Sequence, residues 1–314
     1  MPSFSHNLLK LSANNMKRVM GVDLNNIPRV RNLLRLSGPT LSLPSGVESE
    51  LNSWENLPVE WLRPQGTRKD RVILFLHGGG YAVGSIQTHR GLAARLAQWS
   101  NTSAVIIDYR LAPEHPFPAA LEDAVMAYQM LIGKGYDPGH IALAGDSAGG
   151  GLAIATMLAI RDMPGMPMPA CCVCFSPWVD LSFSGESAIT QADFDPIVRV
   201  QEVTEWGSQY AGTYPIEYPL VSPLFAELHG LPPILIQASD KEVLSDDARR
   251  LAVKLQEAQV DVHLQLWPEL MHVWQLFWRL VPEADDALKA AGSFIDAHTH
   301  LPHDVARREK KTVE

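Results

Sequence analysis

The stretch Gly145–Gly150, which reads Gly-Asp-Ser-Ala-Gly-Gly, constrains this chain more than any other feature. The apolar run His140–Ala144 precedes it, and the apolar segment Gly151–Leu158 follows it. A buried strand, a serine between glycines and then a helix are the sequence context of a nucleophile elbow, a sharp turn that exposes the serine hydroxyl. Glycines are needed there because a Cβ atom would keep helix and strand apart. The stretch predicts that Ser147 is a nucleophile. For these six residues alone, the alternative is a glycine-rich turn with no chemical role.

Composition indicates a globular protein and argues against several classes of function. The 314 residues are 46% hydrophobic and 19% charged, which is typical of a chain with a large core. The net charge of -9 argues against nucleic-acid binding, which requires a basic surface. We expect no membrane-spanning segment, because no stretch reaches the roughly 20 apolar residues that a span needs. The first 20 residues also lack the continuous apolar region of a signal peptide.

The three cysteines all lie in the segment Cys171–Cys174. Their spacing is too tight for an ordinary disulfide framework, and no second cluster completes a zinc site. We therefore expect free, buried thiols in a strand and no bound metal. Free thiols indicate a reducing compartment, so the predicted location is cytoplasmic.

Short apolar runs alternate with helical segments along most of the chain, which predicts βαβ units and a mostly parallel sheet flanked by helices. The predicted strands are residues 71–76, 104–108, 140–144, 170–175, 233–238 and 260–267. Two regions depart from this pattern. Residues 1–45 contain two amphipathic stretches, and residues 182–218 combine a helical segment with several aromatic side chains. An aromatic-rich insertion after a sheet strand suits a cap over an active site.

The segment His77–Gly80, which reads His-Gly-Gly-Gly, follows the first of the buried strands. Three glycines leave backbone N–H groups free to point into a cavity, as in the oxyanion loop that accompanies a nucleophile elbow. An ordinary glycine-rich turn is the alternative in isolation, and the elbow downstream favours the functional interpretation. We expect His77 to brace this loop through hydrogen bonds, because the catalytic base must lie beside Ser147.

A serine hydroxyl becomes nucleophilic at neutral pH only beside an imidazole that a carboxylate orients. In this arrangement the chain order is serine, acid, histidine, each in a loop after a strand. His272 alone combines the end of a sheet strand with a position after both the elbow and an acidic loop, so it is the predicted base. The acidic loop offers Asp240 and Glu242. Ser245, Asp246 and Asp247 begin a predicted helix, where capping and dipole roles are favoured.

Four motifs together are highly specific: His77–Gly80, Asp108–His115, Gly145–Gly150 and Ser176–Trp178. Through them the sequence resembles the bacterial hormone-sensitive-lipase family of α/β-hydrolase esterases, from about Val72 to His272. The resemblance implies an α/β-hydrolase fold, with a mostly parallel central sheet flanked by helices and a helical cap.

The family's acidic loop commonly reads Asp-Pro-Leu-x-Asp, with the first aspartate in the triad. The segment Glu242–Asp246 falls on that pattern. The resemblance therefore implies that Glu242 is the catalytic acid, although glutamate departs from the family's usual residue, and Asp240 stays the alternative.

The same resemblance implies an oxyanion hole, a two-part cap and a two-part catalytic domain. The backbone N–H groups assigned to the oxyanion hole are those of Gly78, Gly79, Gly80 and Ala148. The cap would consist of residues 1–45 and 182–218, and the catalytic domain of residues 46–181 and 219–314. Family members are often dimers, so a homodimer is expected by analogy.

These features predict a carboxylesterase that cleaves short- to medium-chain acyl esters through an acyl-enzyme and needs no metal or organic cofactor. One alternative is a non-catalytic small-molecule receptor, like the plant gibberellin receptors of similar fold. Those receptors lack a working triad histidine, whereas His272 is present in this chain. A second alternative is a peptidase or amidase. Serine peptidases of this fold generally carry an additional gating domain, for which this chain has no room.

Overall fold

The computed structural model describes residues 2–20, 26–35 and 42–299. Its strands are β1 (Val47–Trp54), β2 (Leu57–Pro64), β3 (Val72–Leu76), β4 (Ser103–Ile107), β5 (Ile141–Asp146), β6 (Cys171–Phe175), β7 (Ile234–Ser239) and β8 (Val262–Trp267). Its α-helices are α1 (Phe4–Met20), α2 (Ile27–Arg35), α3 (Ile86–Trp99), α4 (Ala119–Gly133), α5 (Ala148–Arg161), α6 (Ser187–Thr190), α7 (Val200–Ala211), α8 (Ser245–Glu257) and α9 (Pro282–His298).

The strands form one sheet in the spatial order β1-β2-β4-β3-β5-β6-β7-β8. Pairing is parallel from β4 through β8, and the β1–β2 hairpin joins β4 antiparallel. Glu55 and Asn56 turn this hairpin with φ of 49° and 74°, because a two-residue hairpin loop favours positive φ at both positions. The predicted α/β-hydrolase fold, with a mostly parallel sheet flanked by helices, is confirmed.

Helices cover both faces of the sheet, which explains why the sequence of β3 is uniformly apolar. Leu74 packs into one core with α4 and α5, whereas Ile73 packs into the other with α3 and α9. Successive side chains of a strand point to opposite faces, so burial on both faces requires an unbroken apolar run. The cysteines of β6 are free and buried, as predicted.

The parallel strands bring several loops to one edge of the sheet. In register, Leu76 lies opposite Gly145, Asp146 opposite Phe175, and Ser239 opposite Trp267. Chain segments that leave the carboxyl ends of parallel strands meet at the same edge, where ligands of open α/β sheets bind. The loops that contain the predicted site residues therefore converge there.

The two segments predicted to form the cap contain α1 and α2 in one case and α6 and α7 in the other. Ile27 and Val30 of α2 share a buried apolar cluster with Val83 and with Trp206 of α7. Residues 1, 21–25, 36–41 and 300–314 of the predicted domains lie outside the described residues. Within the described ranges, no helix has the length and apolar character needed to span a bilayer.

The capping role predicted for Ser245, Asp246 and Asp247 is wrong, although the two acids do lie in the first turn of α8, as the dipole role requires. Helix α8 has no side-chain cap at its N-terminus. Asp247 accepts the N–H groups of Val179 and Asp180, and Asp246 accepts that of Ser187. Both carboxylates therefore bind the segment that follows β6, because tertiary contacts compete with the first turn of their own helix.

Candidate active site

Ser147 lies in the sharp turn between β5 and α5, with φ of 52° and ψ of −122°. Few non-glycine residues adopt a positive φ, and such strain is typical of functional sites. Backbone hydrogen bonds hold the turn: Ser147 donates its N–H to Phe175 at 2.8 Å, and its carbonyl accepts the N–H of Trp178 at 3.0 Å. The half-buried serine is fixed in a conformation that an unrestrained chain would avoid.

The glycines on either side of Ser147 are required by close packing. A Cβ atom on Gly149 would overlap the carbonyl oxygens of Leu76 and His77, and one on Gly145 would overlap Gly149. The elbow therefore lies in backbone contact with the loop that leaves β3. This contact places the glycine-rich loop beside the serine.

The N–H groups of the glycine-rich loop differ in their availability. Gly78 donates its N–H to Asp146 Oδ1 at 3.0 Å, so the prediction that this group serves the oxyanion hole is corrected. Within residues 2–20, 26–35 and 42–299, no acceptor is assigned to the N–H groups of Gly79, Gly80 and Ala148. These three donors remain available for a developing negative charge.

His77 braces the same loop, as predicted. Its Nδ1 lies 2.8 Å from the carbonyl oxygen of Gly78, and its ring stacks on Tyr109 with centroids 4.2 Å apart. Burial, with a smaller contribution from His89, lowers the pKa of His77 to about 3. The ring is therefore neutral at physiological pH and donates from Nδ1.

His272 and Glu242 are linked to the serine by two short hydrogen bonds. His272 Nε2 lies 2.9 Å from Ser147 Oγ, and His272 Nδ1 lies 2.9 Å from Glu242 Oε2. The second carboxylate oxygen, Oε1, accepts the N–H of Ser239 at 3.0 Å. Glu242 is completely buried and His272 is 4% exposed. The three side chains form a continuous relay from carboxylate to hydroxyl.

Asp240 lies apart from this relay. Its Oδ1 accepts the N–H of Glu269 at 2.7 Å, and its own N–H donates to the carbonyl of Trp267. These bonds join the loop after β7 to the loop after β8. Of the two acids that the sequence left open, Glu242 is the one in contact with His272.

The protonation equilibrium of His272 is set by opposing effects. Burial lowers its pKa, but the hydrogen bond and charge of Glu242, with the charges of Asp195 and Asp146, outweigh burial and raise its pKa above 6.5. An imidazolium ion is therefore stabilised at this position. A base that abstracts a proton from serine benefits from the same stabilisation, because it becomes an imidazolium in the transition state.

Asp195 is a site residue that the sequence did not single out. It is completely buried, and its carboxylate, that of Glu242 and the His272 imidazole bring potential ligand atoms within 4.8 Å of one another. Hydrogen bonds already engage these atoms: Asp195 accepts N–H groups from Ile197, Val198 and Val243. The group is thus arranged as a hydrogen-bonded network rather than as an open set of metal ligands. In the sequence, Asp195 is distinguished only by the proline that follows it, which does not indicate a site.

His6 of α1 is a second residue missed by sequence reasoning. Its Nε2 accepts the N–H of Met271, directly before His272, at 3.1 Å. His6 is completely buried, and a contact across 265 residues of chain leaves no local signal in the sequence.

Comparisons with known proteins find relatives among acetyl-hydrolases and esterases. Residues 73–276 match the α/β-hydrolase-fold family. The chain is 45% identical over 242 residues to an acetyl-hydrolase from Streptomyces hygroscopicus, an alignment that covers 76% of this chain and 80% of that protein. It is 37% identical over 226 residues to an esterase from Acinetobacter venetianus, covering 71% of this chain and 74% of the relative. A solved esterase structure from the bacterial hormone-sensitive-lipase family aligns with a TM-score of 0.90 at 39% identity, covering 96% of this chain and all of that one.

Proposed function

Because the chain belongs to the bacterial hormone-sensitive-lipase family of α/β-hydrolases and is a carboxylic ester hydrolase, we propose that it cleaves short- to medium-chain acyl esters through a Ser-His-Glu triad. The observation that carries the proposal is the relay of two 2.9 Å hydrogen bonds from Glu242 through His272 to Ser147. This relay lies at the carboxyl edge of the sheet, beside three available backbone donors.

The reaction proceeds in two halves through an acyl-enzyme. His272 Nε2 takes the proton of Ser147 Oγ while the oxygen attacks the ester carbonyl carbon, and the same proton then passes to the departing alcohol. In the second half-reaction, water takes the place of the serine. His272 deprotonates the water, the hydroxide attacks the acyl carbon, and His272 returns the proton to Ser147 Oγ as it leaves. Glu242 fixes the tautomer of His272 and stabilises its cation. No step requires a metal or an organic cofactor.

Each tetrahedral intermediate carries a negative oxygen, which Gly79, Gly80 and Ala148 would bind through their N–H groups. Ala148 begins α5, so the positive end of the helix dipole adds to this stabilisation. Loss of one donor of this kind typically costs about 3–4 kcal/mol in the transition state.

Residues 1–45 and 182–218 would form the cap that encloses the acyl and alcohol groups. Two features support this: α2 and α7 share an apolar cluster beside the glycine-rich loop, and Asp195 and His6 reach the loops of the triad. An enclosed pocket favours short and medium acyl chains. The S. hygroscopicus relative, an acetyl-hydrolase by name, supports the short end of this range.

The proposal is tested by rates on p-nitrophenyl esters of increasing acyl length, compared with the matching anilides. We expect ester cleavage to peak at short to medium chains and amide cleavage to be far slower. Ser147→Ala should abolish hydrolysis above background. A variant that kept the wild-type rate would refute the assignment of the nucleophile, and preferential anilide cleavage would favour an amidase.

The acid is tested by comparing Glu242→Gln with Asp240→Asn. We expect E242Q to lose most of its activity and D240N to keep most of it, because only Glu242 contacts His272. The reverse pattern would transfer the role to Asp240.

Two further expectations concern assembly and location. The family resemblance supports a homodimer, which light scattering of the purified protein tests through its molar mass. Three free cysteines support a reducing, cytoplasmic compartment. Fractionation of the native cells tests this location.

A further inference from the structure

The backbone on either side of the acid–base pair is held by side chains from outside the catalytic domain. Asp195 Oδ2 accepts the N–H of Val243, the residue after Glu242, at 3.2 Å. His6 Nε2 accepts the N–H of Met271, the residue before His272, at 3.1 Å. One acceptor comes from residues 182–218 and the other from residues 1–45, so each cap segment reaches one loop of the triad.

The two cap segments also contact each other at this point. The ammonium group of Lys10 lies 2.7 Å from the centroid of the Phe194 ring. Phe194 directly precedes Asp195 in the sequence. Ser3, at the start of α1, donates its hydroxyl to Glu283 at 2.8 Å. Helix α1 is thus anchored between α9 and residues 182–218.

We propose that the cap positions the acid–base pair, in addition to enclosing the substrate. Asp195 is the positioning residue for the loop of Glu242, and His6 is the positioning residue for the loop of His272. This inference rests on the proposed function, because it concerns the geometry of the same triad.

The charge of Asp195 has a second effect on the pair. Its oxygen lies within 4.8 Å of the nearest ligand atoms of Glu242 and His272, and all three residues are buried. The charged and titratable groups around it include Lys10 on α1, Glu242 and His272, and Asp146 acts on the same imidazole. A second buried carboxylate favours the imidazolium form of His272, the form generated when serine is deprotonated.

The chemistry of His6 fits an acceptor role. Burial lowers its pKa, with Lys10 adding to this effect, although Glu283 and Asn7 oppose it. The ring is therefore neutral at physiological pH and keeps the Nε2 lone pair that Met271 requires.

The test for residues 182–218 compares Asp195→Asn with Asp193→Asn, an exposed acid two residues earlier. Active sites are titrated with a fluorophosphonate, so that kcat refers to reactive enzyme only. We expect D195N to lower kcat by about tenfold or more, since small misplacements of catalytic groups have large effects, with KM nearly unchanged. The acid limb of its pH profile should also move to lower pH. D193N should match the wild type.

NMR of protein with ¹⁵N-labelled histidine follows the titration of His272 without reference to turnover. D195N is expected to lower the pKa of His272, and D193N to leave it unchanged. If D195N and D193N gave the same kcat and the same titration, the role of Asp195 would be overturned. If the wild type failed to hydrolyse esters, the proposed function would fail, while this titration would still decide whether Asp195 acts on His272.

The test for α1 uses His6→Ala, His6→Gln and Leu8→Ala. Gln places an amide oxygen near the position of Nε2, whereas Ala removes the acceptor, and Leu8 is an exposed residue of the same helix. We expect H6A to lower kcat several-fold, H6Q to restore most of it, and L8A to have no effect. Equal activity of H6A and L8A would overturn the role of His6. If D195N does not fold, the His6 variants still test whether the cap positions the acid–base pair.

Discussion

Asp146 Oδ1 accepts the N–H of Gly78 across 3.0 Å, so the residue directly before Ser147 holds the loop that leaves β3. Its second oxygen, Oδ2, lies 3.3 Å from His89 Nε2 on α3. The carboxylate is 2% exposed. Ser147 and the glycine-rich loop are therefore joined by one buried side chain, and a displacement of either affects the other.

Asp146→Ala is expected to lower kcat by about 10²-fold, because the loop that presents the oxyanion donors loses its attachment. Asp146→Asn keeps an oxygen for Gly78 and should lose less. Steady-state kinetics on a p-nitrophenyl ester measure both. The control is Asp137→Ala, since Asp137 also accepts a backbone N–H, that of Gly139, near the opposite end of β5. Equal losses in D146A and D137A would show that a general effect on the fold is responsible.

The pH dependence of the reaction follows from His272. Glu242, Asp195 and Asp146 outweigh burial and raise its pKa above 6.5. Only neutral His272 can accept the serine proton, so kcat/KM should fall as pH drops through a midpoint above 6.5. Glu242→Gln should move this midpoint to lower pH. It should also lower kcat by about 10⁴-fold, the loss seen when the triad aspartate of a Ser-His-Asp enzyme is replaced by its amide. A midpoint that stayed in place in E242Q would show that the Glu242 carboxylate does not raise the pKa of His272.

The close approach of Gly80 to Trp206 links the glycine-rich loop to α7. Gly80 has φ of +60°, and a Cβ atom there would lie 2.6 Å from Trp206 Cε3. Gly80→Ala is expected to lower kcat/KM by about 10²-fold, because an oxyanion donor is displaced. Trp206→Leu in the G80A background should restore part of this loss, since the obstructing ring is removed.

A matched control for G80A separates steric contact from backbone strain. Gly135 also has positive φ, +89°, but a Cβ atom there meets nothing within 4 Å. Gly135→Ala should cost about 1–2 kcal/mol of stability through the left-handed backbone alone and leave kcat unchanged. If the double variant G80A/W206L were no more active than G80A, contact with Trp206 would not explain the loss.

The sequence predicted most of the sheet because β3 and its neighbours are continuous apolar runs between turn residues. It also predicted the residues that the relay brings together, since a nucleophile elbow restricts the order and strand position of its partners. Ser147 and His272 follow from these constraints. Glu242 additionally required the resemblance to a family, because Asp240 lies in the same loop.

Side chains that act across long distances in the chain could not be predicted in this way. His6 binds beside His272 from 265 positions away, and a lone histidine on an amphipathic helix has no distinctive pattern. The hydrogen bond from the Gly78 N–H to Asp146 was missed for a similar reason, because nothing in the sequence distinguishes the N–H of Gly78 from that of Gly79. Asp247 was predicted to cap its own helix, whereas the N–H groups that it accepts lie in the segment after β6.

Asp247 makes stability itself depend on pH. Burial raises its pKa from 3.8 to about 7, the charge of Asp180 adds to this, and the N–H groups of Val179 and Asp180 with Arg250 oppose it. The folded state then binds a proton that the unfolded state releases between these values. Stability from this group is complete below pH 3.8 and is lost as pH rises towards 7, at about 1.4 kcal/mol per pH unit.

Asp247→Asn removes this titration and keeps an oxygen for the two backbone donors. Urea unfolding at several pH values between about 4 and 7.5 measures the effect as the difference in unfolding free energy between wild type and variant. We expect the unfolding free energy of the wild type to fall by about 4 kcal/mol relative to that of D247N over this interval, as the linkage relation requires. Above a pH of about 7 the difference between the two proteins should stay constant. Asp246→Asn, which alters the neighbouring half-buried acid, should retain the wild-type slope. A D247N protein with the same pH dependence as wild type would show that Asp247 is already ionised in the folded state near the acid end of this range.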